Sequence, residues 1–330
     1  MSSPFSLSRP LVSAIDLLAA LSGKPVPGLD AQAPVLLDCR FQLDDPEAGF
    51  LAWQQARLPG ARYGHLERDF SGPIEPGRSG RHPLPEPAAL MARLRSFGVG
   101  PDTPVVFYDA SGGPFAARGW WLACHLGHPA AFVLDGGMEA WREAGGELET
   151  DPPGPPANPA PPWPERPPLL AAATVADVEA AMERAAKPEQ ATVGADLSAN
   201  APSHSNDSQE VRGRVRSHGG LLLVDARSPE RFAGEQEPID PVAGHIPGAV
   251  CLPHGGNLDA RGRFLPAADL AARWQGRDVD AAICYCGSGV TAAHNVLAAV
   301  AAGIGRPRLY VGSWSEWITD PTRPIAHGRS

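Results

Sequence analysis

Short apolar runs alternate along the chain with longer segments whose apolar positions recur at helical spacing. The runs include Leu36-Leu37 ahead of Asp38, Val105 to Tyr108, Leu223-Val224 ahead of Asp225, and Ala281 to Tyr285. The segments Pro87 to Phe97, Ala267 to Trp274 and Ala292 to Ala302 predict helices. Near the start, Ser13 is placed to cap a helix in which Ile15, Leu18 and Leu21 fall at helical spacing. Strands that alternate with helices imply an α/β fold, a mainly parallel sheet flanked by helices. Ligands of such sheets bind beyond the C-terminal ends of the strands.

The pattern occurs twice, with four landmarks in the same order. Leu36-Leu37-Asp38-Cys39-Arg40 matches Leu223-Val224-Asp225-Ala226-Arg227, and Leu58-Pro59-Gly60-Ala61 matches Ile246-Pro247-Gly248-Ala249. Val105 to Asp109 matches Ala282 to Cys286, and Leu134 to Trp141 matches Tyr310 to Trp317. Asp109 precedes Trp141 by 32 residues, and Cys286 precedes Trp317 by 31. Two tandem domains are therefore expected, 1–150 and 169–330, with Asp109 in the first where the second has Cys286. Between them, 151–168 is so rich in proline that neither helix nor sheet can run through it, which marks an interdomain linker. The stretch 187–220, rich in Ser, Asn, Ala, Gly and charge, fits neither half and reads as a flexible surface insertion.

Charge and cysteine usage narrow the function. A chain of 330 residues with a formal net charge of −9 and no basic cluster interleaved with aromatics argues against a nucleic-acid partner. The five cysteines are odd in number and lack the paired spacing of a zinc site, so a reducing compartment and free thiols are expected. No apolar stretch approaches the roughly 18 residues of a membrane span, and Met1 to Leu21 has no basic segment ahead of a continuous apolar run. A cytoplasmic location without membrane contact follows as the expectation.

The candidate chemistry lies in Cys286-Gly287-Ser288-Gly289-Val290-Thr291, between an apolar strand and a helix. Two glycines let the backbone curl, so that N–H groups at the helix start can face an anion on sulfur. The competing reading is a buried structural cysteine with a Gly-Ser-Gly loop filler. Cys284 fits that second description, since it lies inside the apolar run.

With these residues in hand, the chain resembles two-domain rhodanese-type sulfurtransferases along nearly its whole length. The resemblance rests on the duplicated half, on His245-Ile246-Pro247-Gly248-Ala249, on the Cys286 loop and on Gly312-Ser313-Trp314-Ser315-Glu316-Trp317. It implies two rhodanese-like domains, the second of them catalytic. Thiosulfate-using members carry basic residues just after the cysteine, whereas Gly287 and Ser288 stand here. The loop is similar to that of the 3-mercaptopyruvate sulfurtransferase branch.

Carried over residue by residue, the resemblance implies that Cys286 is the nucleophile and that Ser288, His82 and Glu67 form a proton relay across the two halves. Arg231 falls on a substrate-binding arginine, whose plainer alternative is a surface salt bridge. A second arginine of some members falls near Ile239, so that contact is absent or supplied elsewhere. His65 and His254 compete with His82 for the relay. The N–H groups of Gly287, Gly289, Val290 and Thr291 would hold the transferred sulfur.

The implied reaction takes sulfur from 3-mercaptopyruvate onto Cys286 and passes the persulfide sulfur to thioredoxin, a small thiol or cyanide. No metal or organic cofactor is implied. The rivals are a thiosulfate:cyanide sulfurtransferase, a non-catalytic sulfur-carrier module and a cysteine phosphatase. The phosphatase needs an arginine six residues after the cysteine, and Ala292 stands there.

Overall fold

Strand β1 (Leu11–Val12) opens a first sheet with β2 (Val35–Asp38), β3 (Arg62–Tyr63), β4 (Val105–Tyr108) and β5 (Ala131–Leu134). A second sheet holds β6 (Ala172–Ala173), β7 (Leu222–Asp225), β8 (Ala249–Cys251), β9 (Ala282–Tyr285) and β10 (Arg308–Tyr310). The orders are β1-β5-β4-β2-β3 and β6-β10-β9-β7-β8, the same arrangement twice, and all the named pairings are parallel. The computed structural model describes residues 7, 9–30, 32–151, 154, 158–186 and 222–329. The insertion expected at 187–220 lies outside them.

The central strands β4 and β9 are buried at every position. Covered on both faces, such strands read in sequence as unbroken apolar runs rather than alternating ones. The helices around the first sheet are α1 (Ala14–Leu21), α2 (Ala48–Gln55), α3 (Leu66–Asp69), α4 (Pro87–Ser96), α5 (Pro114–His125) and α6 (Gly137–Glu143). Those around the second are α7 (Val175–Ala186), α8 (Pro229–Ala233), α9 (Ala267–Arg273), α10 (Thr291–Ala301) and α11 (Ser313–Trp317). Ser13 caps α1 as its sequence predicts, accepting the Asp16 N–H. The face it buries differs, however: Ala14 and Leu17 pack inward, while Ile15 is 72% and Leu21 39% exposed.

The sequence landmarks recur because they bond to one another. In the first half Arg40 grips Asp38, the Tyr108 hydroxyl donates to Asp38 Oδ2 at 2.7 Å, and that hydroxyl accepts the Leu58 N–H. In the second, Arg227 grips Asp225 and the Tyr285 hydroxyl accepts the Ile246 N–H. Each buried strand-end carboxylate thus meets a fixed guanidinium, which removes the penalty of an unpaired buried charge.

The two halves share a core. Alanines of α10 pack against α5, and Ala116, Trp120, Ala292, Ala293 and Val296 fall in one buried cluster. His294 Nε2 on α10 donates to the Gly112 carbonyl of the other half at 3.0 Å. Residues 158–168 carry neither helix nor strand and lie along the first half. There Trp163 Nε1 donates to Val99 O and Arg95 Nε to Ala160 O. No helix among the described residues is long and apolar enough to cross a membrane.

Candidate active site

Cys286 leaves the end of β9, the central strand, and α10 begins at Thr291, so the intervening loop must turn sharply. Gly289 makes the turn at φ +76°, and a Cβ there would stand 2.3 Å from the Val311 carbonyl oxygen. Only glycine fits. Its N–H donates to Cys286 Sγ at 3.1 Å. Val290 and Thr291 open α10, and no hydrogen bond joins their N–H groups to the sulfur.

The fourth landmark clamps this loop from the other side. Ser313 Oγ accepts the Cys286 N–H, Trp314 N–H donates to Cys286 O, and Ser315 N–H donates to Gly287 O. Ser313 holds φ 55°, an uncommon value for a residue with a side chain. Cys286 itself is 2% exposed.

His82, from the first half, reaches the same loop. Its Nδ1 lies 2.8 Å from Ser288 Oγ, and both residues are buried. Burial, followed by the cations Arg118 and Arg81, pushes the His82 pKa down to about 3. The ring is therefore neutral at physiological pH and can exchange a proton with the Ser288 hydroxyl. Glu67 on α3 places Oε1 3.9 Å from His82 Nε2, beyond hydrogen-bond length, and is half exposed.

The competing histidines have structural work. His65 Nδ1 caps α3 by accepting the N–H groups of Glu67 and Arg68. His254 Nδ1 donates to Ala226 O.

Arg231, on α8, is held by Glu237 at 2.7 Å and Asp240 at 3.1 Å; the surface salt bridge anticipated as its plainer role is present as an ion pair, but a largely buried one. Its Nη1 has no hydrogen-bond partner among the described residues. Ile239, where a second arginine was sought, is 42% exposed.

Sequence reasoning missed two arginines. Arg81, beside His82, pairs with Asp240 and brings its guanidinium against Gly287. Arg118, fully buried on α5, donates to the carbonyls of His82 at 3.1 Å, Phe70 and Pro83 at 3.3 Å, and Gly289 at 3.5 Å. It has no carboxylate partner among the described residues. Burial pulls its pKa down to about 10, opposed by the charge of Cys286. The available signal was a lone arginine in the middle of an otherwise apolar helix, which is seldom buried without a reason.

A rhodanese-like domain model matches residues 27–144 and 207–320, once on each sheet. The chain belongs to the rhodanese family. It is 44% identical, over 89% of its length and 92% of the relative's, to a probable 3-mercaptopyruvate sulfurtransferase of Pseudomonas aeruginosa. It is 39% identical, over 91% of its length and 93% of the relative's, to a putative thiosulfate sulfurtransferase, SseB, of Mycobacterium tuberculosis. The solved 3-mercaptopyruvate sulfurtransferase of Leishmania major superposes with a TM-score of 0.74 at 25% identity, covering 98% of this chain and 77% of that one. This rhodanese is an enzyme of the sulfurtransferase type.

The first rhodanese-like unit shows what the loop does when it lacks sulfur. Asp109 follows β4 as Cys286 follows β9, and its carboxylate accepts the N–H groups of Ser111, Gly113, Phe115 and Ala116 at 2.8–3.0 Å. Burial raises the Asp109 pKa and those four bonds oppose it. The strand-to-helix loop of this fold is thus a cradle for an anion, filled here by the protein's own side chain. A cavity of about 440 Å³ also lies in this half, lined by Phe50, Trp53, Tyr63 and Arg68 among others, and none of the proposed site residues borders it.

Proposed function

We propose that this rhodanese moves sulfur from 3-mercaptopyruvate to a thiol or cyanide through a persulfide on Cys286, releasing pyruvate. The observation that carries this reading is the 2.8 Å contact of Ser288 Oγ with His82 Nδ1, two residues along the loop from the thiol. A donor whose sulfur leaves carbon departs with an electron pair on that carbon and must take up a proton. Sulfite, leaving from thiosulfate, needs none. A hydroxyl–imidazole pair beside the thiol supplies the proton path that only the carbon donor requires.

The steps balance as follows. Cys286 thiolate attacks the donor's sulfur; the S–S bond forms as the C–S bond breaks, and the electron pair passes to pyruvate as its enolate. The enolate carbon takes a proton through Ser288 and His82, with the Glu67 charge biasing the ring. Arg231 Nη1, left free by the bonds of Nε and Nη2 to Glu237 and Asp240, would meet the donor carboxylate. The Gly289 N–H, already on the cysteine sulfur at 3.1 Å, stays in reach of the persulfide, with Gly287, Val290 and Thr291 forming the rest of the loop wall. An acceptor thiolate, from thioredoxin or a small thiol, or cyanide then attacks the outer sulfur, and Cys286 leaves as thiolate. The five free cysteines suit a reducing cytoplasm.

Thiosulfate is the second reading, favoured by the two guanidinium groups that converge on Gly287 and could meet a dianion. Values of kcat/KM for both donors on one preparation decide between them. The proposal expects 3-mercaptopyruvate to lead by at least about tenfold, with one pyruvate per sulfur moved. Thiosulfate leading by the same margin would overturn it.

A further inference from the structure

We infer that Arg81 is the site's second donor-binding cation, contributed across the domain boundary by the half that has no thiol. The sequence puts Ile239 where a second arginine was sought, on the loop that also carries Asp240. The structure puts a guanidinium beside the same Asp240 from the opposite side. A Cβ built on Gly287 would lie 2.9 Å from Arg81 Nη2, 3.4 Å from Arg231 Nη2 and 3.6 Å from Arg231 Nη1. Two guanidinium groups, one from each half, thus meet over the residue next to Cys286.

The hydrogen-bond inventory of Arg81 shows which edge is left for a ligand. Nη1 is taken by Asp240, whereas Nη2 has no partner among the described residues and Nε is buried with none. The Nε–Nη2 edge is the one that pairs with a carboxylate through two parallel bonds. A buried donor without an acceptor is costly, so an anion that meets the open Nη2 and draws the edge free would also satisfy a group that the protein leaves unmet.

The position of Arg81 is set independently of that edge. Its backbone N–H donates to Ser315 Oγ at 3.1 Å. The preceding Gly80 packs so closely that a Cβ would stand 2.5 Å from Gly312 O. Gly312 and Ser315 belong to the landmark that clamps the Cys286 loop, so Arg81 and the thiol share one support. The acids on the other side, Glu237 and Asp240, hold Arg231 and Arg81 in place before the donor arrives.

The ligand class is a small monocarboxylate whose reacting atom lies two bonds or so from the carboxylate; a sulfur donor of this kind rests on the function proposed above. The test uses reagents that do not. Iodoacetate and iodoacetamide alkylate the same thiol and differ in one charge, so the ratio of their rates on Cys286 reads the local cation. Arg81→Met keeps the aliphatic stem and removes the charge; Arg81→Lys restores a charge without the fork.

The inference expects the iodoacetate:iodoacetamide ratio to fall about tenfold in Arg81→Met, beyond any slowing that both reagents share through loss of a cation near the thiolate, and to recover partly in Arg81→Lys. The KM for 3-mercaptopyruvate should rise by a similar factor with kcat less affected. An unchanged ratio, or equal slowing of both reagents through lost domain docking, overturns it. If the enzyme does not use 3-mercaptopyruvate at all, the alkylation ratio still reports on Arg81, so the two proposals fail separately.

Discussion

Ser288 Oγ and His82 Nδ1 lie 2.8 Å apart although 206 residues separate them in sequence. The bond joins the loop of the second rhodanese-like unit to a segment of the first, so the proton relay proposed for it requires the two units to be docked. Removing either partner should harm the donor that needs a proton far more than the one that does not. Ser288→Ala and His82→Gln are expected to lower kcat for 3-mercaptopyruvate by about a hundredfold, while thiosulfate turnover changes less than about fivefold. Steady-state kinetics with both donors checks this, and equal losses would mean that the pair is structural.

Glu67 stands 3.9 Å from His82 Nε2 and is half exposed, so solvent screens its effect on the ring. Glu67→Gln should therefore cost less than either relay substitution, about threefold in kcat at low salt and less at high salt. A hundredfold loss, measured in the same assay, would show that Glu67 closes onto the ring during turnover.

Arg118 ties His82 to the Cys286 loop, because one guanidinium donates to both the His82 and Gly289 carbonyls. Arg118→Met removes a buried cation and leaves four carbonyl oxygens without that donor. We expect a loss of about 1–3 kcal/mol in urea unfolding. We also expect slower alkylation of Cys286 by iodoacetamide, since a buried cation whose charge interacts with that of Cys286 is gone. Unchanged alkylation in a folded variant would show that Arg118 serves docking alone.

Asp109 tests the cradle without touching the thiol. Its carboxylate is the acceptor for four N–H groups, so Asp109→Ala should destabilise the first unit by about 3 kcal/mol or more. Persulfide formation on the remaining folded protein should proceed at the parental rate. Thermal unfolding and intact mass on one sample read both.

Burial lowers the pKa of six histidines, His65, His82, His128, His245, His254 and His294, and three of them move furthest. Burial pushes the pKa of His82 and His294 down to about 3 and that of His128 down to about 4. Below pH 6.5 the unfolded chain takes up protons that these folded rings refuse, so stability is complete above that pH and falls as pH drops toward 3 to 4. At 1.4 kcal/mol per unit, each costs at most about 2 kcal/mol between pH 6.5 and 5. Urea midpoints across that range should fall steadily, and His128→Gln, remote from the thiol, should flatten the slope by less than about a third, since His65, His245 and His254 also contribute.

The fold was legible in the sequence because buried parallel strands leave unbroken apolar runs. The duplication was legible because its landmarks are the residues that bond to one another, Asp38 with Arg40 and Tyr108, Asp225 with Arg227. The meeting of Ser288 with His82 near Cys286 was anticipated from motif and resemblance. The contacts of Arg81 and Arg118 were not, since they arise where one half meets the other and no spacing within either half encodes them. The α1 face was misjudged for a related reason. Small Ala14 fits where the chain packs closely, and bulky Ile15 is left outside.

The account stands most directly on the fate of one sulfur atom. Intact mass spectrometry of the enzyme after 3-mercaptopyruvate, followed by peptide mapping, should show a single added sulfur on Cys286, released by a thiol or cyanide and absent from Cys286→Ala. Sulfur added elsewhere, or transfer to acceptor persisting in Cys286→Ala, would contradict it.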